Sequence, residues 1–315
     1  MMKATLTGET DVLRPLDATS RAISVRVVRS RLADYLELTK PRIAVMALFT
    51  VAAGYLLGAG AAADGRILFH ALVGAGLVAA GGASLNQLME RRLDARMRRT
   101  ANRPLPAGRI SPEEAAAFGA GLTGAGLAYL LATVPTAALV AAVVTVVTYV
   151  LVYTPLKTIT VWNTMVGAVP GALPPVIGWC AARGWDGVGT ATLLFAVLFL
   201  WQLPHFMAIA WMYRADYAAA GLRMVPGTDS HGRRTAVVMI AMAAALVPAG
   251  VAAGFLVGGW LAAIGAALLG IYFLNRSLDF GRARTDRAAR RVLRASIIYL
   301  PCVFALILID ALVLT

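Results

Sequence analysis

Apolar residues in this chain gather into long unbroken runs rather than alternating or one-sided stripes. From residue 43 onward the runs approach 20 residues, the length that crosses about 30 Å of hydrocarbon at 1.5 Å per residue. They cover 43–60, 68–88, 114–132, 136–153, 163–182, 190–212, 236–256, 259–274 and 293–313. This pattern predicts an all-α fold, a polytopic membrane bundle of about nine transmembrane helices. Residues 1–42 carry no such run and read as an arm ending in an interfacial segment, Val25 to Leu38, ahead of a membrane domain over 43–315. The arm lacks a short apolar core before a small-residue cleavage site, so no secretory signal is expected. Glu9, Asp11 and Asp17 argue against a mitochondrial presequence.

Composition agrees, with 59% hydrophobic and 14% charged residues against about 45–50% and about 25% in soluble domains. A net charge of +13 could suggest nucleic acid, but the placement of the 29 Lys and Arg residues argues for a membrane. All but two lie on the arm or after the second, fourth, sixth and eighth segments; Arg66 and Arg183 are the exceptions. Basic loops stay on the cytoplasmic side of a membrane, so the N-terminus is expected inside and the C-terminus outside. The Ala-rich, Arg-over-Lys usage points to a bacterial plasma (inner) membrane. Membrane lipid, and no nucleic acid, is the expected surrounding. Cys180 and Cys302 fall within apolar runs and read as small buried hydrophobes.

Two features interrupt this plain picture. The fifth segment contains Pro170, Pro174 and Pro175, which remove backbone donors at membrane depth. Such backbone is tolerated where protein buries it or where it lines a cavity, and a central cavity beside this segment is expected. The Gly-rich runs 74–82 and 119–126 predict close helix packing. The second feature is chemical: Asn86, Glu90, Asp94 and Arg98 recur every four residues where the second segment leaves the membrane. On one helix this spacing makes a single stripe of an amide, two carboxylates and a guanidinium. Asn86 still lies in the apolar run, and oxygen ligands at this spacing suit Mg²⁺ bound jointly with a diphosphate.

Asn-x-x-x-Glu-x-x-x-Asp resembles the first Asp-rich motif of the UbiA prenyltransferase superfamily, with Glu90 where the pattern usually has Asp. Five further blocks resemble the haem O synthase family within it, in order: Asp34 to Ile43, Arg99 to Pro106, Tyr153 to Trp179, Trp201 to Phe206 and Asp216 to Pro226. The chain departs from the pattern at Thr158, where an Arg is usual, and at Ala220, where a second carboxylate is common; Asp229 is a candidate to replace it. The resemblance implies transfer of the farnesyl group of farnesyl diphosphate to a vinyl group of haem B, giving haem O for haem-copper oxidases.

It also implies roles. Asn86, Glu90, Asp94 and Asp216 would hold Mg²⁺, and Lys40, Arg98, Arg103 and Lys157 would bind diphosphate. Asn86, Glu90, Asp94 and Lys157 form the expected catalytic set. Only three lysines stand among the basic residues, which singles out Lys40 and Lys157 as point charges for phosphate oxygens. His205, in the apolar Trp201 to Trp211 stretch, is the expected haem contact, while His70 and His231 read as structural and solvated. Asp310 reads as interfacial. Candidate protein partners are haem A synthase and oxidase assembly factors. Three alternatives differ in their marks. A UbiA-type enzyme acting on a quinone precursor or another tetrapyrrole would lack the combined blocks. A transporter would carry inverted repeats, and a non-catalytic haem-binding protein would have no use for the acidic stripe.

Overall fold

The computed structural model describes residues 30–314, so most of the expected arm lies outside the described residues. Among the described residues nine helices are long and apolar enough to cross a membrane, and the protein is an integral membrane protein. A short helix α1 (Arg31–Leu38) precedes them. The first three spans are α2 (Pro41–Ala59), α3 (Gly65–Asp94) and α4 (Pro112–Thr133). The fourth joins α5 (Thr136–Val146) and α6 (Thr154–Ile159) through a π-helical stretch, Val147–Tyr153. The fifth is α7 (Asn163–Ala172) followed by α8 (Pro174–Arg183), and the sixth is α9 (Val188–Met212). After α10 (Arg214–Ala219) come α11 (Arg233–Ala253), α12 (Trp260–Ala283) and α13 (Asp286–Ile309).

The observed helices outrun the hydropathy segments chiefly at the basic face. α3 continues to Asp94, α12 to Ala283, and α13 begins at Asp286 rather than near 293. Hydropathy marks only the part of a helix that sits in hydrocarbon, and the charged turns continue the same helix into the headgroup region. α1 is amphipathic: Leu32 and Leu36 face outward, while Leu38 is buried and Tyr35 packs on Phe118 of α4.

Glycine sets the closest approaches. A Cβ at Gly81 would come 2.3 Å from Thr123 Oγ1, and one at Gly126 would come 2.8 Å from Val78 N, so both Gly-rich runs serve the α3–α4 contact. The proline-broken fifth segment is held tighter still. A Cβ at Gly54 would lie 2.0 Å from the Pro175 carbonyl oxygen, and one at Gly178 would lie 1.9 Å from that of Val51. Pro170, Pro174 and Pro175 are all buried, and Gln202 Nε2 of α9 donates to the Ala168 carbonyl at 2.7 Å. The break at Leu173 is thus flanked by buried prolines, a setting that tolerates such backbone, while Gly171 on the same span is exposed.

Two single-residue expectations change. Cys180 is buried, but Cys302 is exposed on α13. Asp310 is 5% exposed and accepts from Ala262 N at 2.8 Å, capping the first turn of α12 from the end of α13. It is a buried cap rather than an interfacial charge.

Candidate active site

α3 carries Asn86, Glu90 and Asp94 on successive turns, and all three are buried. Each meets one cation from elsewhere in the chain. Lys40 Nζ donates to Asn86 Oδ1 at 2.7 Å, Lys157 Nζ donates to Glu90 Oε1, and Arg103 Nη1 donates to Asp94 Oδ2 at 2.6 Å. The stripe does not extend to Arg98. α3 ends at Asp94, where the Thr100 hydroxyl donates to the Asp94 carbonyl at 2.8 Å and the chain turns away. Arg98 is exposed with no hydrogen bond or ion pair among the described residues, and Arg103 supplies the guanidinium instead.

Local structure aims the cations. Lys40 is left-handed (φ 50°), one of two non-glycine residues with positive φ among those described. Such a conformation costs on the order of 1–3 kcal/mol and persists where its surroundings enforce it. Gln87 Nε2 donates to the Glu37 and Leu38 carbonyls at 3.1 and 3.0 Å, and Pro41 starts α2 immediately after. Burial pushes the Lys40 ammonium down to about 7; Lys157 and Arg103 act in the same direction, and Glu90 and Asp94 oppose them. Lys157 is placed by the π-helical stretch, a feature frequent at functional sites. Tyr149 and Tyr153 stack with centroids 5.9 Å apart, and Lys157 Nζ lies 4.4 Å from the Tyr153 ring centroid. Gly167 leaves room for that ring, since a Cβ there would come within 2.4 Å of Tyr153 Cε2.

Hard oxygen donors on adjacent turns of one helix suit Mg²⁺. One atom bears on this directly: Asp94 Oδ1 is buried and has no hydrogen-bond partner among the described residues. A buried carboxylate oxygen left bare is costly and calls for a cation. The residues present therefore fit the metal, although no three His, Cys, Asp or Glu side chains already converge on a common point among the described residues.

Residues 47–300 match the UbiA prenyltransferase family. The chain belongs to this family. It is 43% identical to the protoheme IX farnesyltransferase of Solibacter usitatus, over 88% of this chain and 98% of that one. It is 44% identical to the enzyme of that name from Salinibacter ruber, again over 88% and 98%. Its fold is similar to a solved digeranylgeranylglyceryl phosphate synthase, with TM-score 0.75 at 20% identity over 89% of this chain and 98% of the other. It is also similar to a UbiA homolog from Archaeoglobus fulgidus bound to GPP and Mg²⁺, with TM-score 0.62 at 18% identity over 87% and 99%.

The remaining expected residues of this prenyltransferase divide. Asp216 sits half-buried on α10, at the same face but outside any carboxylate cluster. Its neighbour Tyr217 meets Arg99 Nη2 at 3.3 Å and packs with Met97 and Leu93, which brings α10 beside the end of α3. Asp229 does not join the site: its Oδ2 accepts from Thr235 N and Oγ1 at 2.8 and 2.9 Å, fixing the start of α11. His70 pairs with Tyr129 at 2.7 Å, and His231 is exposed, as expected of both.

His205 lies about two turns into the membrane from the end of α9, stacked on Trp201 with centroids 5.0 Å apart. Its Nδ1 is 2.7 Å from Ser296 Oγ, whose single proton goes to the Leu293 carbonyl at 2.7 Å. Ser296 therefore accepts from Nδ1–H, and this network assigns the free lone pair to Nε2. Trp211, expected nearby, instead packs on Phe280.

Sequence reading missed Tyr149, Tyr153, Gln87 and Thr154, which receives Asn86 Nδ2 at 3.0 Å. A signal existed: Tyr149, Tyr153 and Lys157 repeat the four-residue spacing of the α3 stripe. Asp34 was legible only as part of a block; it holds Arg109 at 2.9 Å and ties α1 to the loop that delivers Arg103.

Proposed function

We propose that this prenyltransferase joins the farnesyl chain of farnesyl diphosphate to a vinyl group of haem B, with addition of water, to give haem O. The observation that carries the reading is the pairing of three basic side chains with three successive turns of one helix at a single membrane face. That arrangement fits a ligand that is itself highly anionic and must lose its charge to the protein as it leaves.

In the reaction the allylic carbon–oxygen bond of the diphosphate breaks and a carbon–carbon bond to the vinyl terminus forms. Water supplies the hydroxyl at the other vinyl carbon and releases a proton. Asn86, Glu90 and Asp94, with Asp216 from α10, would hold Mg²⁺, which when bound neutralises diphosphate charge and promotes its departure. Lys40, Arg103 and Lys157 would turn from their α3 partners to the phosphate oxygens, and Lys40 would regain full charge as an anion arrives. The stacked Tyr149 and Tyr153 wall this end against water, protecting the allylic cation. His205, with Nε2 free and its ring held by Trp201 and Ser296, would contact the haem.

Orientation follows from charge. The basic face that bears the site would be cytoplasmic, with the N-terminal arm (1–42) inside, the membrane domain spanning 43–315 and the C-terminus outside a bacterial plasma membrane. Haem O is apolar and bilayer-held, so haem A synthase or an oxidase assembly factor is the partner class we assign.

The test is incubation of membranes containing the protein with haem B, farnesyl diphosphate and Mg²⁺, followed by mass identification of the haem product. Haem O is expected. A prenylated quinone precursor formed in its place when both acceptors are offered would move the protein to another branch of the family.

A further inference from the structure

α11 and α12 lie side by side and leave a groove of about 350 Å³ at the basic face. Val237, Ile240 and Leu278 form its apolar floor, and Arg233, Arg282 and Arg284 form its rim. Gly281 lets the helices close beneath it, since a Cβ there would come within 2.8 Å of Ile240 Cδ1.

The rim charges are poorly compensated. Arg233 has no hydrogen bond or ion pair among the described residues. Among the described residues the Arg284 side chain reaches only the His231 carbonyl, at 3.2 Å. Arg282 lies 3.8 Å from Asp279, which Arg276 holds more closely at 3.1 Å. Arg233 and Arg234 also occupy the first turn of α11, which carries no acidic residue. Cations are unfavourable at that end of a helix, where the backbone is partially positive. Asp229, the carboxylate that caps this turn, is engaged by Thr235.

The same seam continues into the membrane. A second groove of about 360 Å³, wholly apolar, lies between Pro248, Val251, Phe255 and Trp260. Ile240 and Val251 are about three turns apart, so they share one side of α11 and are separated by roughly 16 Å. That is a distance an acyl chain spans.

We propose that the α11–α12 seam binds an anionic phospholipid of the surrounding leaflet, with its phosphate against Arg233, Arg282 and Arg284 and an acyl chain on Val237, Ile240 and Leu278. Guanidinium groups match phosphate oxygens in charge and geometry, and basic pockets between membrane helices accept anionic headgroups. Free phosphate would satisfy the rim but not the floor. A zwitterionic lipid would satisfy the floor and offer the same phosphate, but its own ammonium group would be brought against the arginine rim and cancel the attraction.

The purified full-length protein in neutral detergent is titrated separately with phosphatidylglycerol, phosphatidylcholine and inorganic phosphate. Native mass spectrometry counts bound lipid, and thermal unfolding is followed in parallel. Phosphatidylglycerol should bind and raise Tm, and the other two should not match it. Replacing all three rim residues (R233Q, R282Q, R284Q) should weaken phosphatidylglycerol binding on the order of 100-fold, because each basic group near an anionic headgroup contributes roughly fivefold. Arg233→Gln alone removes a side chain with no internal partner and should weaken binding about fivefold with unchanged Tm in lipid-free detergent, which keeps the test valid if the triple variant fails to fold. Equal binding of phosphatidylcholine, equal stabilisation by inorganic phosphate, or unaltered phosphatidylglycerol binding by the variants would each overturn the proposal. None of these arginines belongs to the prenyl-transfer site, so the outcome is independent of that reading.

Discussion

Arg103 Nη1 lies 2.6 Å from Asp94 Oδ2, while Oδ1 of the same buried carboxylate accepts no hydrogen bond from any described residue. The pairing occupies one oxygen of Asp94 and leaves the other for a further cation. Asp94→Asn preserves size but removes the anion, so the protein should fold while haem O formation falls on the order of 10²–10³, as when a transition-state electrostatic contact is deleted. Turnover assayed beside protein level and Mg²⁺ dependence checks this. Near-normal turnover in a well-folded variant would sink the metal-site reading.

Arg103 and Arg98 should separate cleanly. Arg103→Lys keeps the charge but loses the planar guanidinium that reaches Asp94 Oδ2 and has further N–H groups for phosphate oxygens, and turnover should fall about tenfold or more. Arg98 is exposed beyond the end of α3, so Arg98→Gln should change stability by less than about 0.5 kcal/mol and leave turnover unchanged. Equal losses in both variants would contradict the geometry, as steady-state assays of the pair would reveal.

Ser296 fixes the ring of His205 through Nδ1, which makes its removal a test that spares the ring itself. His205→Ala should abolish specific haem retention, and Ser296→Ala should weaken it about 10- to 100-fold, the usual effect of removing a group that orients a metal-binding histidine. Haem absorbance of the purified variants measures this, with Mg²⁺-dependent diphosphate binding as a control that should not move. Normal haem retention with defective prenyl-substrate binding would show that His205 serves the other substrate.

Asp310 caps α12 from another helix, and neutralising it should act on stability alone. Asp310→Ala is expected to cost about 0.5–2 kcal/mol, as for loss of a helix cap, with KM for farnesyl diphosphate unchanged. Denaturant unfolding in detergent beside steady-state kinetics is the measurement. A kinetic defect without loss of stability would refute the cap.

Charge bias predicts the orientation of the bundle, and cysteine labelling in sealed cells tests it directly. With Cys302 replaced, since it faces outward, a cysteine at Asp186 should label from outside and one at Arg99 should not. Strong external labelling at position 99 would invert the topology and move the site to the other face.

The sequence by itself determined what depends on neighbours along the chain. Crossing the membrane requires only a long enough apolar run, so the spans were legible to within a few residues apart from the ends of α3, α6, α12 and α13 at the basic face. Helical periodicity placed Asn86, Glu90 and Asp94 on one stripe because all three belong to the same helix. Tertiary structure alone decided which cation meets which stripe residue, because Lys40, Lys157 and Arg103 arrive from other segments or around a loop whose course no periodicity encodes. The same spacing rule that found Asp94 carried the stripe on to Arg98, which assumed a helix that in fact stops at Asp94. Burial made the remaining corrections. Prolines mark a break without saying what lies beside it, and the bare glycine surfaces of Gly54 and Gly178 decided that α8 packs tightly on α2. An Asp near a membrane surface can face water or cap a neighbouring helix, and the buried N–H of Ala262 chose the cap for Asp310, because an amide at membrane depth must find an acceptor inside the protein.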